Sequence, residues 1–200
     1  GRTSPGVNRF FDLPHIGFTA TGQKDNGPLA TDRPHIVNAY GSYIFDWKGS
    51  KTNSTEFSAF QTFQSGTPVS SLVYVIVPIF ESRRGDRGRT PMFTQTDFAV
   101  SHKYRFGRDN RFTLVGDLNF LNLFDEDNIT SYQMQKSVPS PSFATLGYGE
   151  VDGVNAFTSG ALSSVIANYL SATGRTNATY GLPNGYQGAR SVRFGFRLLF

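Results

Sequence analysis

Arg190-Ser191-Val192-Arg193-Phe194-Gly195-Phe196-Arg197-Leu198-Leu199-Phe200 closes the chain on an aromatic residue. Side chains of an extended strand alternate sides with a period of two, so Val192, Phe194, Phe196, Leu198 and Phe200 share one face. Arg193, Gly195 and Arg197 share the other. In water, an edge strand with five large apolar groups on one face and arginines on the opposite one invites aggregation. A strand standing between lipid and a water-filled lumen needs that pattern, apolar outside and polar inside, over about ten residues. The alternative is a sandwich strand that happens to end the chain.

The composition agrees with a strand-rich wall. Hydrophobic residues make up 38% of the 200 residues, below the roughly 45–50% apolar content of globular domains, a figure that counts glycine. Aromatics nevertheless reach 14%, with 19 Phe and 9 Tyr, so the apolar content is concentrated in rings. The 21 Gly and 10 Pro supply turns. Together these favour an all-β chain with large loops over a compact α/β enzyme. Cysteine is absent, which excludes thiolate metal sites, disulfides and a cysteine nucleophile. The net charge of +4 is mild and the arginines are scattered, so no nucleic-acid partner is expected. The longest apolar run, residues 72–80, contains Pro78 and falls far short of the about 20 residues a membrane helix needs. A membrane protein of this sequence spans with strands closed into a barrel. The first ten residues lack the basic start and apolar core of a signal segment. A start in mid-loop leads to the expectation of a C-terminal piece of a longer chain.

Four further strands are predicted upstream, at residues 35–45, 56–64, 94–106 and 111–122. In the first, Val37, Ala39, Gly41, Tyr43 and Phe45 share a face. In the second, Phe57 and Phe63 oppose Phe60, which leaves its facing ambiguous. In the third, Phe98, Val100, His102, Tyr104 and Phe106 alternate with Asp97, Ala99, Ser101, Lys103 and Arg105. In the fourth, Phe112, Leu114, Gly116, Leu118 and Phe120 alternate with Thr113, Val115, Asp117 and Asn119. Gly107-Arg108-Asp109-Asn110 forms a short turn between the third and fourth, and a polar connection of about ten residues joins the first and second. By contrast, about thirty residues separate the second and third strands, and nearly seventy the fourth and fifth. Outer-membrane barrels have short periplasmic turns and long extracellular loops, and this alternation sorts the connections in the same way.

The expected fold class is therefore all-β: an antiparallel transmembrane β-barrel segment of about five strands. Its parts are an extracellular loop at residues 1–33, four strands over 34–128 with a loop at 67–92, a long extracellular loop at 129–189, and the final strand at 190–200. Helical spacing of Val154, Phe157, Ala161, Leu162, Val165, Ile166, Tyr169 and Leu170 predicts an amphipathic helix over 159–172. Thr158 or Ser159 is its expected cap, Gly174 lies just beyond its end, and the barrel rim is its expected support. Residues 72–80 are expected to form an extra hairpin strand or to extend a wall strand.

Signs of catalysis are scarce, and no enzyme activity, cofactor or metal is expected. His15, His35 and His102 have no ligand partner at metal-site spacing, and no nucleophile elbow or phosphate-binding loop occurs. Asp125-Glu126-Asp127-Asn128 offers oxygen ligands of the kind calcium takes, without the spacing of an EF-hand, and reads first as a solvated acidic loop. The basic run Arg83-Arg84-Gly85-Asp86-Arg87-Gly88-Arg89 suits lipopolysaccharide phosphates or the steering of anions. Its embedded Arg84-Gly85-Asp86 matches an integrin-ligand tripeptide. The candidate lumen-facing residues are Lys103, Arg105, Asp117, Asn119, Arg193 and Arg197. Four of them, Lys103, Arg105, Arg193 and Arg197, are basic and point to an anion-friendly interior.

Several phrases carry a family resemblance. Thr31-Asp32-Arg33-Pro34-His35, Phe63-Gln64-Ser65-Gly66-Thr67-Pro68, Arg87-Gly88-Arg89-Thr90-Pro91 and Asn119-Phe120-Leu121-Asn122-Leu123-Phe124 follow one another in the order seen in the late strands of TonB-dependent transporters, and resemble the Oar-like group in particular. In the terminal strand, the spacing of Arg193, Gly195, Leu198 and Phe200 resembles the C-terminal signal by which outer-membrane barrels are recognised for insertion. The resemblance implies a barrel of about twenty-two strands plugged by an N-terminal domain, importing scarce nutrients with energy from the TonB complex. The implied partners are outer-membrane lipid and lipopolysaccharide, the rest of the barrel and its plug, the TonB complex and the barrel-assembly machinery. The implied location is the outer membrane of a Gram-negative cell. The alternatives are a plugless porin or adhesin, and a soluble secreted β-sandwich that binds glycans or a host protein.

Overall fold

In the computed structural model, which describes residues 18–50, 52–75, 77–138, 142, 144–147, 155 and 159–200, the alternating segments are strands. These are β1 (Ile36–Asp46), β2 (Asn53–Gln64), β3 (Leu72–Val75), β4 (Val77–Phe80), β5 (Phe93–Phe106), β6 (Phe112–Leu121), β7 (Ile129–Tyr132), β8 (Pro183–Tyr186) and β9 (Ser191–Leu199), with helix α1 at Leu162–Ser171. The fold is mostly antiparallel β. No described helix is long and apolar enough to cross a membrane.

Five strands form one antiparallel meander in the order β1-β2-β5-β6-β9. Pairing runs without a slip along each neighbour, from Ile36↔Gln64 to Asp46↔Ser54 in the first pair and from Thr113↔Leu199 to Leu121↔Ser191 in the last. Short turns close β1–β2 and β5–β6 at the same end of the sheet. Both turns use left-handed backbone, at Lys48 and Gly49 in one and at Gly107, Asp109 and Asn110 in the other. Glycine, asparagine and aspartate accept that conformation most readily, which is why the second turn was visible as a run of turn formers. β2 begins at Asn53, earlier than expected, because Ser54 and Thr55 continue the ladder against Asp46 and Phe45. Among the described residues β1 and β9 each keep one unpaired edge, so the sheet does not close on itself.

The segments expected to be three separate loops instead form one compact unit. Its parts lie within Gly1–Arg33, Gly66–Pro91 and Ile129–Gly185, whereas Pro34–Ser65, Met92–Asn128 and Tyr186–Phe200 make up the sheet unit. The loop unit has a core of its own: Ala20, Val73, Ile79, Leu146, Leu162 and Ile166 are buried together, flanked by Phe18, Val165, Tyr169 and Leu170. Backbone bonds stitch its parts. Ala20 N–H donates to the Phe80 carbonyl (2.8 Å), and Leu72 exchanges bonds with Met134 and Lys136 (2.9 and 2.8 Å).

Residues 72–80 fold back on themselves as the β3–β4 hairpin, paired from Leu72↔Phe80 to Val75↔Val77, and do not extend a wall strand. Helix α1 starts later than predicted. Ala161 stands at its N-cap without a side-chain bond, and the Ser159 hydroxyl accepts the Ala161 N–H instead (3.4 Å). Thr158, the other expected cap, lies outside the described residues. The apolar stripe expected to rest on a barrel rim is taken up by the core of the loop unit, where Leu162 and Ile166 are buried.

Candidate functional site: two sheet faces and a cavity

Register decides what the sequence left open in β2. Tyr43, Phe57, Val100, Leu118 and Phe194 stand in one cross-strand row, and Gly41, Ala59, Phe98, Phe120 and Val192 in the next. Phe57 and Phe63 therefore share the apolar face, and Phe60 pairs with Tyr40 and Asp97 on the opposite face. Rings touch along the rows: Phe57 stacks near Phe98, Phe98 near Phe120, and Phe106 near Phe112 at 5.6 Å between centroids. This face is bare. Tyr43 is 66% exposed, Phe194 68% and Phe196 66%. Exposed apolar surface of this extent is rare on a soluble monomer.

Toward the turn end of this face lies a contact that sequence reading missed. Trp47 Nε1 donates to Thr55 Oγ1 (2.9 Å), which shares a second hydrogen bond with His102 Nδ1 (2.8 Å). The Phe45 ring meets Trp47 edge-on at 4.9 Å. The only signal for it was the pattern itself, a Trp at a turn and a His in an otherwise apolar row. Aromatic and amphipathic side chains of this kind collect where hydrocarbon meets water.

All six candidate lumen residues stand on the opposite face. Asn119 pairs with Ala99 and Arg193, Asp117 with Ser101 and Gly195, and Val115 with Lys103 and Arg197, while Arg105 pairs with Thr113. Asp117 is their organising centre. Its carboxylate accepts from Ser101 Oγ (2.7 Å) and from Arg197 (2.8 Å). Of the four residues proposed as an insertion signal, Arg193 and Gly195 lie on this polar face. Leu198 pairs with Leu114 on the apolar face. Phe200 lies beyond the end of β9, 93% exposed.

Most of the acidic run after β6 is engaged by neighbouring groups, while Asp127 is exposed. Glu126 accepts from Thr94 Oγ1 (3.0 Å) and the Thr96 N–H (3.2 Å), and Asp125 accepts the Arg190 N–H (2.7 Å). Asn128 donates to the Thr94 carbonyl (3.0 Å) and to Gln187 (2.6 Å). Asn122, buried and in left-handed backbone, donates to the carbonyls of Glu126 (2.8 Å) and Gly188 (2.9 Å). The group clasps the chain where the sheet ends, and among the described residues no three His, Asp or Glu side chains gather as a metal site.

Part of the basic run is likewise engaged. Arg84 grips Asp25 through two nitrogens (2.7 and 2.6 Å), with side chains only 11% and 4% exposed, and covers the Phe80 ring. Arg89 pairs with Asp32 and donates to the Asp32 and Gly66 carbonyls (2.9 Å each). Asp86 accepts the Ser71 N–H (2.7 Å). Both ends of the Arg84-Gly85-Asp86 tripeptide are thus engaged inside the loop unit, while Arg83 and Arg87 remain exposed. The same unit carries an open cavity of about 530 Å³, unforeseen from sequence, between the apolar side chains of Pro28, Pro68, Leu72, Phe80 and Met134 and a set of hydroxyls.

Over its whole length the chain is 26% identical to the TonB-dependent transporter Oar of Myxococcus xanthus, and it spans 19% of the length of that protein. No protein-family model and no solved structure matches.

Proposed function

We propose that this chain forms part of the wall and the outer loops of a TonB-dependent outer-membrane transporter that takes up nutrients. The bare, aromatic face that runs in register across all five strands carries the reading. In lipid that face is solvated by hydrocarbon and the unpaired strand edges must be closed by further strands. On this view Lys103, Arg105, Asp117, Asn119, Arg193 and Arg197 face the lumen, where water and a plug domain meet them. Arg193, Gly195, Leu198 and Phe200 are read by the barrel-assembly machinery, and the exposure of Phe200 leaves it available for that purpose. Coupling to the TonB complex belongs to the transporter as a whole. The similarity to Oar supports the family and the outer-membrane location. Arg84 and Arg89 are held in ion pairs, so a lipopolysaccharide-phosphate role of residues 83–89 falls to the exposed Arg83 and Arg87. A soluble β-sandwich needs a second sheet over Tyr43, Phe194 and Phe196, whose exposure speaks against it.

These 200 residues lack cysteine, so single cysteines at neighbouring positions in β6, introduced into the full-length protein with any cysteine elsewhere replaced, can test the reading within outer-membrane vesicles. Asn119→Cys should react with a water-soluble maleimide, and Leu118→Cys should react only after unfolding. Equal reaction at both positions, or recovery of the protein in the soluble fraction, refutes the proposal.

A further inference from the structure

The large cavity of the loop unit adjoins a second of about 170 Å³, and the two share Val69, Tyr132 and Met134. The larger falls within the roughly 300–1,000 Å³ typical of small-molecule sites. Its walls combine apolar surface with hydroxyls, of which Thr31, Thr130 and Tyr132 make no side-chain hydrogen bond among the described residues. No Asp or Glu lines either cavity. Sugar-binding sites rely on carboxylates and amides that accept hydrogen bonds from hydroxyls, and these walls provide neither type of side chain.

The charges present are all positive, and they differ in availability. Arg84 is held by Asp25 and Arg89 by Asp32, and Arg33, at the larger cavity, also has an interaction partner. Arg87, which lines the smaller cavity, forms no ion pair among the described residues and has only the Tyr180 ring beneath its guanidinium, at 5.9 Å. The adjacent Asp86 carboxylate is turned to the Ser71 N–H and the Ser82 hydroxyl. A guanidinium beside an acceptor-poor, partly apolar slot favours a carboxylate-type group.

We infer that the two cavities form one slot for an amphipathic monoanion, its apolar body in the larger cavity and its carboxylate on Arg87. The inference does not require the sheet to span a membrane.

The test uses the full-length protein in outer-membrane vesicles, with 6-(2-naphthyl)hexanoate and its primary amide as probes, read by saturation-transfer NMR against vesicles lacking the protein. The acid should bind about tenfold more tightly than the amide, and Arg87→Gln should erase that difference while Arg87→Lys keeps part of it. Ala30→Trp, at the cavity lining, should abolish binding of both probes. Equal affinity of acid and amide, or indifference to Arg87→Gln or to Ala30→Trp, overturns the assignment. Heat-dependent electrophoretic mobility of the same preparations reports barrel insertion separately, so failure of the slot and failure of the wall reading give different results.

Discussion

Arg84 and Asp25 illustrate how strongly surroundings set the worth of a charge pair. Both side chains are nearly buried and the contact is two-pronged. Removing one partner leaves the other charged and dry, a loss of about 3–5 kcal/mol. Arg84→Ala should lower the stability of the loop unit by that amount, measured as a shift in its urea midpoint. Arg197 and Asp117 make a pair of similar length, but Arg197 is 65% exposed. Arg197→Gln, in the sheet unit, should cost under about 1 kcal/mol, read as a shift in the urea midpoint of that unit. The sequence shows four arginines in seven residues and nothing that separates these cases. Asp25 and Asp32 lie more than fifty positions from their partners, and no local pattern reports such pairing.

Strands translate alternation into two surfaces, and substitutions should respect that division. Leu118→Arg, on the apolar face of β6, should destabilise folding into lipid vesicles by about 2–4 kcal/mol if it lies near the bilayer centre. Its neighbour Asn119→Arg should have little effect in the same folding titration. Deleting Phe200, which lies outside the β9 ladder, should leave folding in vitro unchanged and sharply reduce assembly in cells, as seen by immunoblot of outer membranes. β5, β6 and β9 were legible because their apolar and polar residues alternate over most of each strand, with His102 and Val115 as exceptions. In β2 the three phenylalanines are spaced by three, and only the partners Tyr40 and Asp97 assign Phe60 to the polar face. Residues 72–80 are apolar throughout, so periodicity could not reveal that they turn back at the middle.

The molecule divides into a sheet unit that sequence largely discloses and a loop unit that it conceals. The lumen candidates could be read because one strand's alternation fixes each of them. The cavity could not, because its walls come from residues 28–33, 67–90 and 130–134, brought together by tertiary contacts alone. Gly66 shows how closely the two ends of the middle segment approach. A Cβ added there would lie 1.7 Å from the Thr90 carbonyl oxygen. Gly66→Ala should accelerate amide exchange at Ala20, Val73 and Ile79 and leave β5 and β6 slow, as read by mass spectrometry.

The three loop segments share one core and hydrogen-bond across long gaps in sequence, which constrains how such proteins can diversify. A chimera that imports only one of them from a relative would split at least one of the pairs Arg84–Asp25, Arg89–Asp32 and Lys136–Glu81 and bring only part of the buried core. Exchange of all three together preserves every internal partner. Recombination among relatives should therefore transfer them as one cassette, and laboratory loop swaps should succeed on the same terms.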